Sequence, residues 1–231
     1  MKILKISMLT LGISLCTLAQ ADIIGVKADA SYWTYDGQTN MQAQTSTSDQ
    51  DLKYKGATQI SFALEHPIPL LPNAKIRYVN LKTQTDHKVA NQPVYDLDLD
   101  HTDFILYYEI LDNIINADVG FGASTLNGQV KTLASNQVDI DKTIPVIYGS
   151  AGVKLPFTGL SAQSELLYNH INNTQITDAQ AEIQYNFIDN LLVDVGLKAG
   201  YRVLNIKLDD YKKNDLKLDF KGPYIGLNIH F

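Results

Sequence analysis

Acidic residues and a histidine share one short stretch of the sequence, in which Asp96, Asp98, Asp100, His101 and Asp103 follow one another closely. A histidine beside a carboxylate can act as a general base on a peptide or a lipid. On a strand, however, Asp100 and His101 point to opposite faces unless a bulge intervenes. The stretch also lacks the glycine and the later glutamate of an EF-hand loop. We therefore interpret it as a solvated acidic strand end near a rim.

The rest of the sequence contains no arrangement that indicates catalysis or a bound metal. The five histidines lack the spacing of metal ligands, and neither a G-x-S-x-G motif nor a phosphate-binding loop occurs. The chain has 231 residues, one cysteine and a net charge of −6, without any lysine- or arginine-rich run. We expect no enzymatic activity, no cofactor, no metal and no nucleic-acid partner.

Thirteen further ionisable residues occupy alternate positions in otherwise apolar segments. On strands, this alternation places them on one face of a sheet, opposite the apolar residues. Six are basic and seven are acidic, so a lumen that they line would be close to neutral and held by ion pairs, because unpaired buried charges are costly. These residues are Lys27, Asp29, Glu65, Lys75, Arg77, Glu109, Asp118, Lys154, Glu165, Glu182, Asp194, Lys198 and Arg202.

The first 21 residues have the pattern of an export signal that is cleaved. Two lysines precede an apolar stretch, 6–18, which is too short to span a membrane. Ala19 and Ala21 then form a small-x-small site, which predicts cleavage before Asp22. The chain is thereby divided into a signal peptide, 1–21, and one domain, 22–231, that contains no cysteine. We expect such a chain in the periplasm, in the medium or in the outer membrane.

Alternation with a period of two decides among these locations. From 193 to 203 the odd positions are apolar, whereas the even positions include Asp194, Lys198 and Arg202. Ten segments of this kind, with no convincing helix, predict an all-β fold, namely a transmembrane up-and-down antiparallel barrel of ten strands, with eight as the alternative. Aromatic residues near the strand ends are typical of interfacial girdles. Trp33 interrupts the alternation of its strand, so we expect it at the rim.

The connections alternate in length, as they do in outer-membrane barrels, where periplasmic turns are short and extracellular loops are long. The predicted periplasmic turns are His66–Asn73, Leu111–Asn113, Pro156–Gly159 and Ile188–Asn190. The predicted extracellular loops are Asp36–Asp51, Thr83–Tyr95, Asn127–Asp141, Ile171–Gln175 and Lys207–Asp215. Lysines in and just after the last loop, such as Lys207 and Lys217, could contact lipopolysaccharide phosphates, but neighbouring aspartates balance them.

The segment 224–231 resembles the C-terminal targeting strand of Gram-negative outer-membrane proteins, in which alternating apolar residues precede a terminal Phe. The residues that carry this likeness are Tyr224, Gly226, Leu227, Ile229 and Phe231. The segments 65–73, 100–113, 155–160 and 222–224 further resemble a family of small proteobacterial outer-membrane barrels of unassigned function. The resemblance implies that the barrel assembly machinery and periplasmic chaperones act in biogenesis, and that outer-membrane lipid and lipopolysaccharide surround the folded chain.

Three functions are consistent with these features. The first is a non-enzymatic outer-membrane barrel with a structural, surface-interaction or narrow-pore role. The second is an outer-membrane enzyme, resembling a protease or a lipid-modifying enzyme, that uses His101 and neighbouring aspartates at the extracellular rim. The third is an adhesin or receptor that acts through the extracellular loops. The sequence favours the first, because small barrels are usually filled by side chains and a near-neutral lumen offers little ion selectivity.

Overall fold

The computed structural model describes residues 25–42, 49–68, 70–89, 92–132, 137–171, 173–190, 193–211 and 214–231. The predicted signal peptide and its cleavage site at Ala19, Ala21 and Asp22 lie outside the described residues. Within the described ranges, no helix is long and apolar enough to cross a membrane.

Twelve strands account for most of the described residues. Ten of them are 12 to 19 residues long, which exceeds the usual five or six residues of a strand. The strands are β1 (Gly25–Gln42), β2 (Gln50–Glu65), β3 (Asn73–Gln84), β4 (Lys88–Val89), β5 (Gln92–Pro93), β6 (Tyr95–Asp112), β7 (Ile115–Thr132), β8 (Gln137–Leu155), β9 (Leu160–Ile171), β10 (Thr174–Asp189), β11 (Asp194–Tyr211) and β12 (Asn214–His230).

The ten long strands close into one antiparallel barrel, and β4 and β5 form a separate two-stranded sheet. Each long strand pairs with its neighbours in chain order, and β1 pairs with β12 from Lys27↔His230 to Gln42↔Asp215 to close the ring. The backbone N–H and C=O groups of Val26 and Phe231 also bond to each other, at 3.1 and 2.9 Å. The prediction of ten strands is therefore confirmed, and the alternative of eight is wrong.

The barrel has a lower end and an upper end. Gly25 and Phe231 lie at the lower end, together with the connections 66–72, 113–114, 156–159 and 190–193. The strand ends at Gln42, Gln84, Thr132, Ile171 and Tyr211 lie at the upper end. We call the part of the barrel nearer each end the lower half and the upper half.

In the lower half the apolar residues point outward. On β6, Phe104, Leu106, Tyr108 and Ile110 are all at least 40% exposed. The other strands contribute equivalent residues at matching heights, and together they form a continuous outer surface that we call the apolar belt. Its exposed members include Tyr32, Ile60, Phe62, Leu64, Ile76, Phe121, Ile147, Leu166, Ile183, Tyr185, Leu197, Tyr201, Ile225 and Leu227.

In the upper half the polarity is reversed. On the same strand β6, Leu97 and Leu99 are buried inside the barrel, while Asp96, Asp98 and Asp100 point outward. The alternation of side chains continues without a break, but the apolar set has changed from the outer to the inner face. The interior of this half is an apolar core whose members include Tyr35, Val79, Leu81, Leu126, Val130, Ile140, Ile144, Leu167, Ile176, Leu204, Ile206, Leu208, Leu216, Leu218 and Phe220.

The reversal corrects the predicted extracellular loops, most of whose residues belong to strands. β1 continues to Gln42, β7 to Thr132 and β11 to Tyr211. The segments left between long strands are 43–49, 85–94, 133–136, 172–173 and 212–213. Polar residues that indicated loops are instead the outward faces of long strands, so the expected contrast of short turns and long loops is largely lost. Lys207 and Lys217 accordingly lie on β11 and β12 rather than in a loop.

Trp33 does not lie at the rim. It is completely buried inside the barrel, and it points inward in the same alternation as Ser31 and Tyr35. Its indole Nε1–H donates to the carbonyl oxygen of Gly222 at 3.1 Å. The interior changes from polar to apolar at the level of Trp33. An apolar residue therefore occupies an inward position, and the alternation of the sequence is interrupted there.

Candidate functional site

The centre of the barrel is occupied by a buried layer of ion pairs around two arginines. Arg77 on β3 donates to Asp103 Oδ2 at 2.8 Å, to Glu165 Oε1 at 2.5 Å and to Asp178 Oδ2 at 2.7 Å. Arg202 on β11 also binds Asp178, through Nε to Oδ1 at 2.9 Å and through Nη2 to Oδ2 at 2.7 Å. We call this set, together with His101, the arginine layer.

The register of the sheet explains how these residues meet. Arg77 and Asp103 are direct cross-strand partners on β3 and β6. Asp178 lies on β10, which is on the opposite side of the ring from β3. The pair of Arg77 with Asp178 therefore crosses the lumen and ties two facing walls together. The five ionised side chains of the layer, with Glu165 and Arg202 included, are at most 4% exposed, so their charges depend on one another for stabilisation.

Further hydrogen bonds complete the arginine layer. Ser124 donates to Asp103 Oδ1 at 2.5 Å, and Arg202 donates to the side-chain oxygen of Gln59. The guanidinium of Arg202 also lies 4.6 Å from the ring centre of Trp33, a distance typical of a cation–π contact. Trp33, which belongs to the apolar core, therefore packs on the upper side of the arginine layer.

His101 is fully buried in this layer rather than at the extracellular rim. Its Nε2 lies 2.9 Å from Asp103 Oδ1, and its Nδ1 lies 3.4 Å from Nη2 of Arg202. Asp96, Asp98 and Asp100 point to the outside of the barrel, so the sequence cluster is divided between two faces. The rim location expected for His101 and Asp103 is therefore wrong, because the upper half extends well beyond them as β-structure.

His101, Asp103 and Asp178 present ligand atoms within 4.8 Å of one another, close enough to surround a metal ion. The linear spacing of the histidines gave no sign of this group, because β10 supplies one member from across the lumen. Both carboxylates already accept hydrogen bonds from arginine, and a divalent cation there would face two guanidinium charges. The arrangement therefore fits a set of structural ion pairs between facing walls better than a metal centre.

Below the arginine layer, a ladder of ion pairs continues toward the lower end. Lys75 pairs with Glu165, and Lys27 pairs with Glu65 at 2.5 Å. Lys198 lies 2.7 Å from Asp29 and 3.3 Å from Glu182. Inward tyrosines bind the same carboxylates: Tyr107 donates to Glu65 at 2.8 Å, Tyr148 to Glu165 at 3.2 Å and Tyr224 to Glu182 at 2.6 Å.

The thirteen predicted lumen residues fall into three groups. Nine take part in the central ion pairs: Lys27, Asp29, Glu65, Lys75, Arg77, Glu165, Glu182, Lys198 and Arg202. Asp118 faces the lumen separately and accepts a hydrogen bond from Ser150 at 2.6 Å. Glu109, Lys154 and Asp194 lie at the lower rim, where the Lys154 side chain is 63% exposed and is 3.9 Å from Asp112.

Asp178 is the one residue of the arginine layer that the sequence did not single out. The predicted loop Ile171–Gln175 ended just before this segment, whereas β10 already begins at Thr174. Counting back by twos from the inward Glu182 through Gln180 reaches Asp178, so the alternation contained the information. An aspartate in a segment rich in Thr and Gln resembles a loop when its inward orientation is not considered.

The predicted targeting residues belong to β12 and to the seam where it meets β1. Leu227 points outward into the apolar belt, while Tyr224 points inward to Glu182. At Gly226 a Cβ atom would lie 2.6 Å from the carbonyl oxygen of Ala30, so glycine permits the close approach of β12 to β1. Ile229 and Phe231 pair with the first residues of β1. These positions describe a structural seam, and recognition by an assembly machinery remains a prediction.

No family model matches the chain, and no curated protein matches it in sequence. Solved structures similar to it include the outer membrane protease OmpT from Escherichia coli, at 10% identity over 93% of this chain and 99% of that chain, with a TM-score of 0.46. Neisserial surface protein A is 14% identical over 91% and 97%, with a TM-score of 0.38. The outer membrane protein OprG from Pseudomonas aeruginosa is 10% identical over 90% and 96%, with a TM-score of 0.38. Likenesses this distant transfer no activity.

Proposed function

We propose that this chain is an integral outer-membrane barrel with a closed lumen and no catalytic activity, whose role is structural or lies in contacts made by its outer surface. The observation that carries the proposal is the filling of the interior at two successive levels. The arginine layer closes the lumen with paired charges, and the apolar core closes it again above.

The apolar belt supports the membrane location. Exposed Phe, Leu and Ile side chains encircle the lower half, and a ring of such residues in water would be an aggregation hazard. Tyr32, Tyr78, Tyr168 and Tyr201 lie toward the upper edge of this belt, where tyrosines are favoured at a membrane interface. A closed sheet leaves no unpaired edge in the hydrocarbon, as a spanning structure requires.

The two filled levels support a barrel that does not conduct ions. Ions and water need a continuous polar path through the lumen. In the upper half the buried apolar side chains of Leu204, Ile206 and Phe220 leave no such path. Each arginine and each carboxylate of the arginine layer takes part in an ion pair, so none of them lines an open path for a permeating ion. A narrow pore, the alternative role, would require both levels to open.

Catalysis is not supported by the position of His101. A general base must reach a substrate proton, but this side chain is 1% exposed between Asp103 and the apolar core. An assay of the purified barrel tests the enzyme alternative. Peptidase or lipid-modifying activity that disappears in a folded His101→Ala variant would support catalysis.

Single-channel recording tests the closed lumen. The refolded barrel is inserted into a planar bilayer, and its folding is verified first by a heat-dependent shift in gel mobility. We expect no discrete current steps from the folded protein. A matched variant, Phe220→Gly with Leu204→Gly, removes part of the apolar core and serves to detect whether the arginine layer alone still closes the lumen. Reproducible steps from the unaltered barrel would contradict the proposal.

A further inference from the structure

Two adjoining grooves lie on the outer surface of one wall of the barrel, on opposite sides of the upper edge of the apolar belt. The lower groove is apolar and is lined by residues of β1, β2, β3, β6 and β7, including Phe62, Leu64, Ala74, Phe104 and Ala123. The upper groove is polar and is lined by β3, β6, β7 and β8. Its residues are Tyr78, Asn80, Lys82, Asp98, Asp100, Asn127, Gly128, Gln129 and Asp139.

The pairing register shows that the two grooves are stacked on the same strands. Ile76, Phe104 and Ala123 are cross-strand partners and form the top row of the apolar groove. Two residues higher, a rise of about 7 Å, Tyr78 pairs with Thr102, which pairs with Thr125.

The next row up is fully polar. Asn80 pairs with Asp100, which pairs with Asn127, and above them Lys82 pairs with Asp98. A single row of tyrosine and threonine therefore separates the apolar groove from the polar one. This is the distance over which a membrane lipid changes from acyl chain to headgroup.

The apolar groove has the shape to take an acyl chain. Two small residues, Ala74 and Ala123, form a depression between the larger side chains of Phe62, Phe104 and Phe121. The depression has a volume of about 700 Å³ and opens outward into the belt. An ordered chain in it would gain dispersion contacts that a smooth wall does not provide.

The polar groove has the chemistry of a site for sugar hydroxyls. Asp100 accepts hydrogen bonds from Tyr78 at 2.6 Å and from Asn80 at 2.7 Å, so its carboxylate is held in place. Amide side chains of Asn127 and Gln129 stand beside it and offer both donors and acceptors.

The charge of the polar groove excludes an anionic headgroup. It contains three carboxylates and one lysine, and Lys82 Nζ is engaged by Asp98 Oδ2 at 3.1 Å. The groove therefore carries an excess of negative charge, which repels phosphate.

We infer that the two grooves together bind one outer-leaflet glycolipid, with an acyl chain in the apolar groove and an uncharged, hydroxyl-rich sugar headgroup in the polar groove. The inference rests on the membrane location proposed above. A membrane-spanning barrel would place the apolar groove at the depth of the acyl chains and the polar groove at the depth of the headgroups, whereas a peripheral protein would have no lipid at this height.

Lipid retention by the purified barrel tests this inference. The barrel is reconstituted in nanodiscs that contain monogalactosyl diacylglycerol and phosphatidylglycerol with the same acyl chains, and the lipids that stay bound after extraction are quantified by native mass spectrometry. We expect the galactolipid to be retained at least tenfold over the phospholipid.

Two double variants, each with a matched control, locate the site. Ala74→Phe with Ala123→Phe fills the apolar groove, and Ala181→Phe with Ala199→Phe makes the same change in the belt on β10 and β11. Asp100→Ala with Asn127→Ala removes the polar row, and Asp219→Ala with Asn205→Ala removes a similar bonded pair, 2.7 Å apart, on the far wall. We expect each groove variant to abolish the preference and each control to keep it.

Other results overturn the inference. Equal retention of the two lipids by the unaltered barrel would mean that the wall binds only a nonspecific annulus. A loss of preference in the controls as large as in the groove variants would place the site elsewhere. Failure of the folded barrel to enter nanodiscs at all would instead contradict the proposed membrane location, so the two failures are distinguishable.

Discussion

The lower and upper halves of the barrel use one backbone pattern with opposite polarity. In the lower half, apolar side chains such as Leu197 point outward and charged ones such as Lys198 point inward. In the upper half, on the same strand, Leu204 points inward and Asn205 outward. The lower half thus has an apolar outer surface around a polar interior, and the upper half has a polar outer surface around an apolar core.

The surroundings of each half, rather than the strands themselves, determine which face is apolar. Lipid accepts apolar side chains on the outside, so the lower half must satisfy its inward polar groups by ion pairing. Water accepts polar side chains on the outside, so the upper half gains stability by burying apolar ones within. The arginine layer and Trp33 lie where these two solutions meet.

The largest effect is expected from Arg77→Met in the arginine layer. The change leaves Asp103, Glu165 and Asp178 with too little positive charge, and breaking a buried pair costs about 3–5 kcal/mol. The free energy of unfolding can be measured in lipid vesicles with urea, through the fluorescence of Trp33, which is the only tryptophan. Lys154→Met at the exposed lower rim is the matched control and should cost less than about 1 kcal/mol. Equal losses would show that the central ion pairs have no special role.

A smaller effect is expected from leucine truncations on the two faces of β6. Leu99→Ala creates a cavity in the apolar core of the upper half and should cost about 2–5 kcal/mol. Leu106 in the belt is 40% exposed. Its truncation in Leu106→Ala leaves a space that lipid can fill, so the loss in free energy of unfolding should be smaller. The same urea titration checks both. If Leu106→Ala proved as costly as Leu99→Ala, the belt would have to be packed against protein.

The reversal itself is tested by placing one charge at two heights on β11. Leu197→Arg puts a guanidinium in the apolar belt. It should destabilise the barrel in lipid by about 2–4 kcal/mol, which is the cost of an arginine near the bilayer midplane. Asn205→Arg puts it on the outer face of the upper half, where a surface change should stay within about 0.5 kcal/mol. Refolding yield and unfolding free energy in vesicles measure the contrast. Similar losses of unfolding free energy at the two positions would contradict a change in outer-surface polarity between the halves.

The sequence was sufficient for the fold and for much of the lower half. Alternation around Lys198 and Arg202 identified the inward face because its outward partners were strongly apolar. Nine of the thirteen predicted lumen residues do meet in the central ion pairs, since a period of two fixes the face of a strand without further information.

The upper half was misread because alternation alone does not say which face is the inside. Polar residues of the segments 36–42 and 127–132 indicated loops, although Thr39, Leu126 and Val130 alternate inward as a strand requires. Asp103 and His101 were assigned to a rim for the same reason. Pairings across the lumen, such as Arg77 with Asp178, depend on closure of the ring, and no local pattern along the chain encodes them.

Spin-label accessibility along β11 tests the reversal most directly. Single cysteines are introduced from Val195 to Lys207 in the barrel without its signal segment, labelled and reconstituted in lipid, and collisions with oxygen and with a water-soluble nickel chelate are recorded. Labels at odd positions should collide with oxygen up to Val203 and with nickel from Asn205 onward. Labels at Leu204 and Ile206 should collide with neither. Strong nickel collisions at Leu204 and Ile206 would mean that the upper lumen holds water, and they would contradict the reversal of polarity.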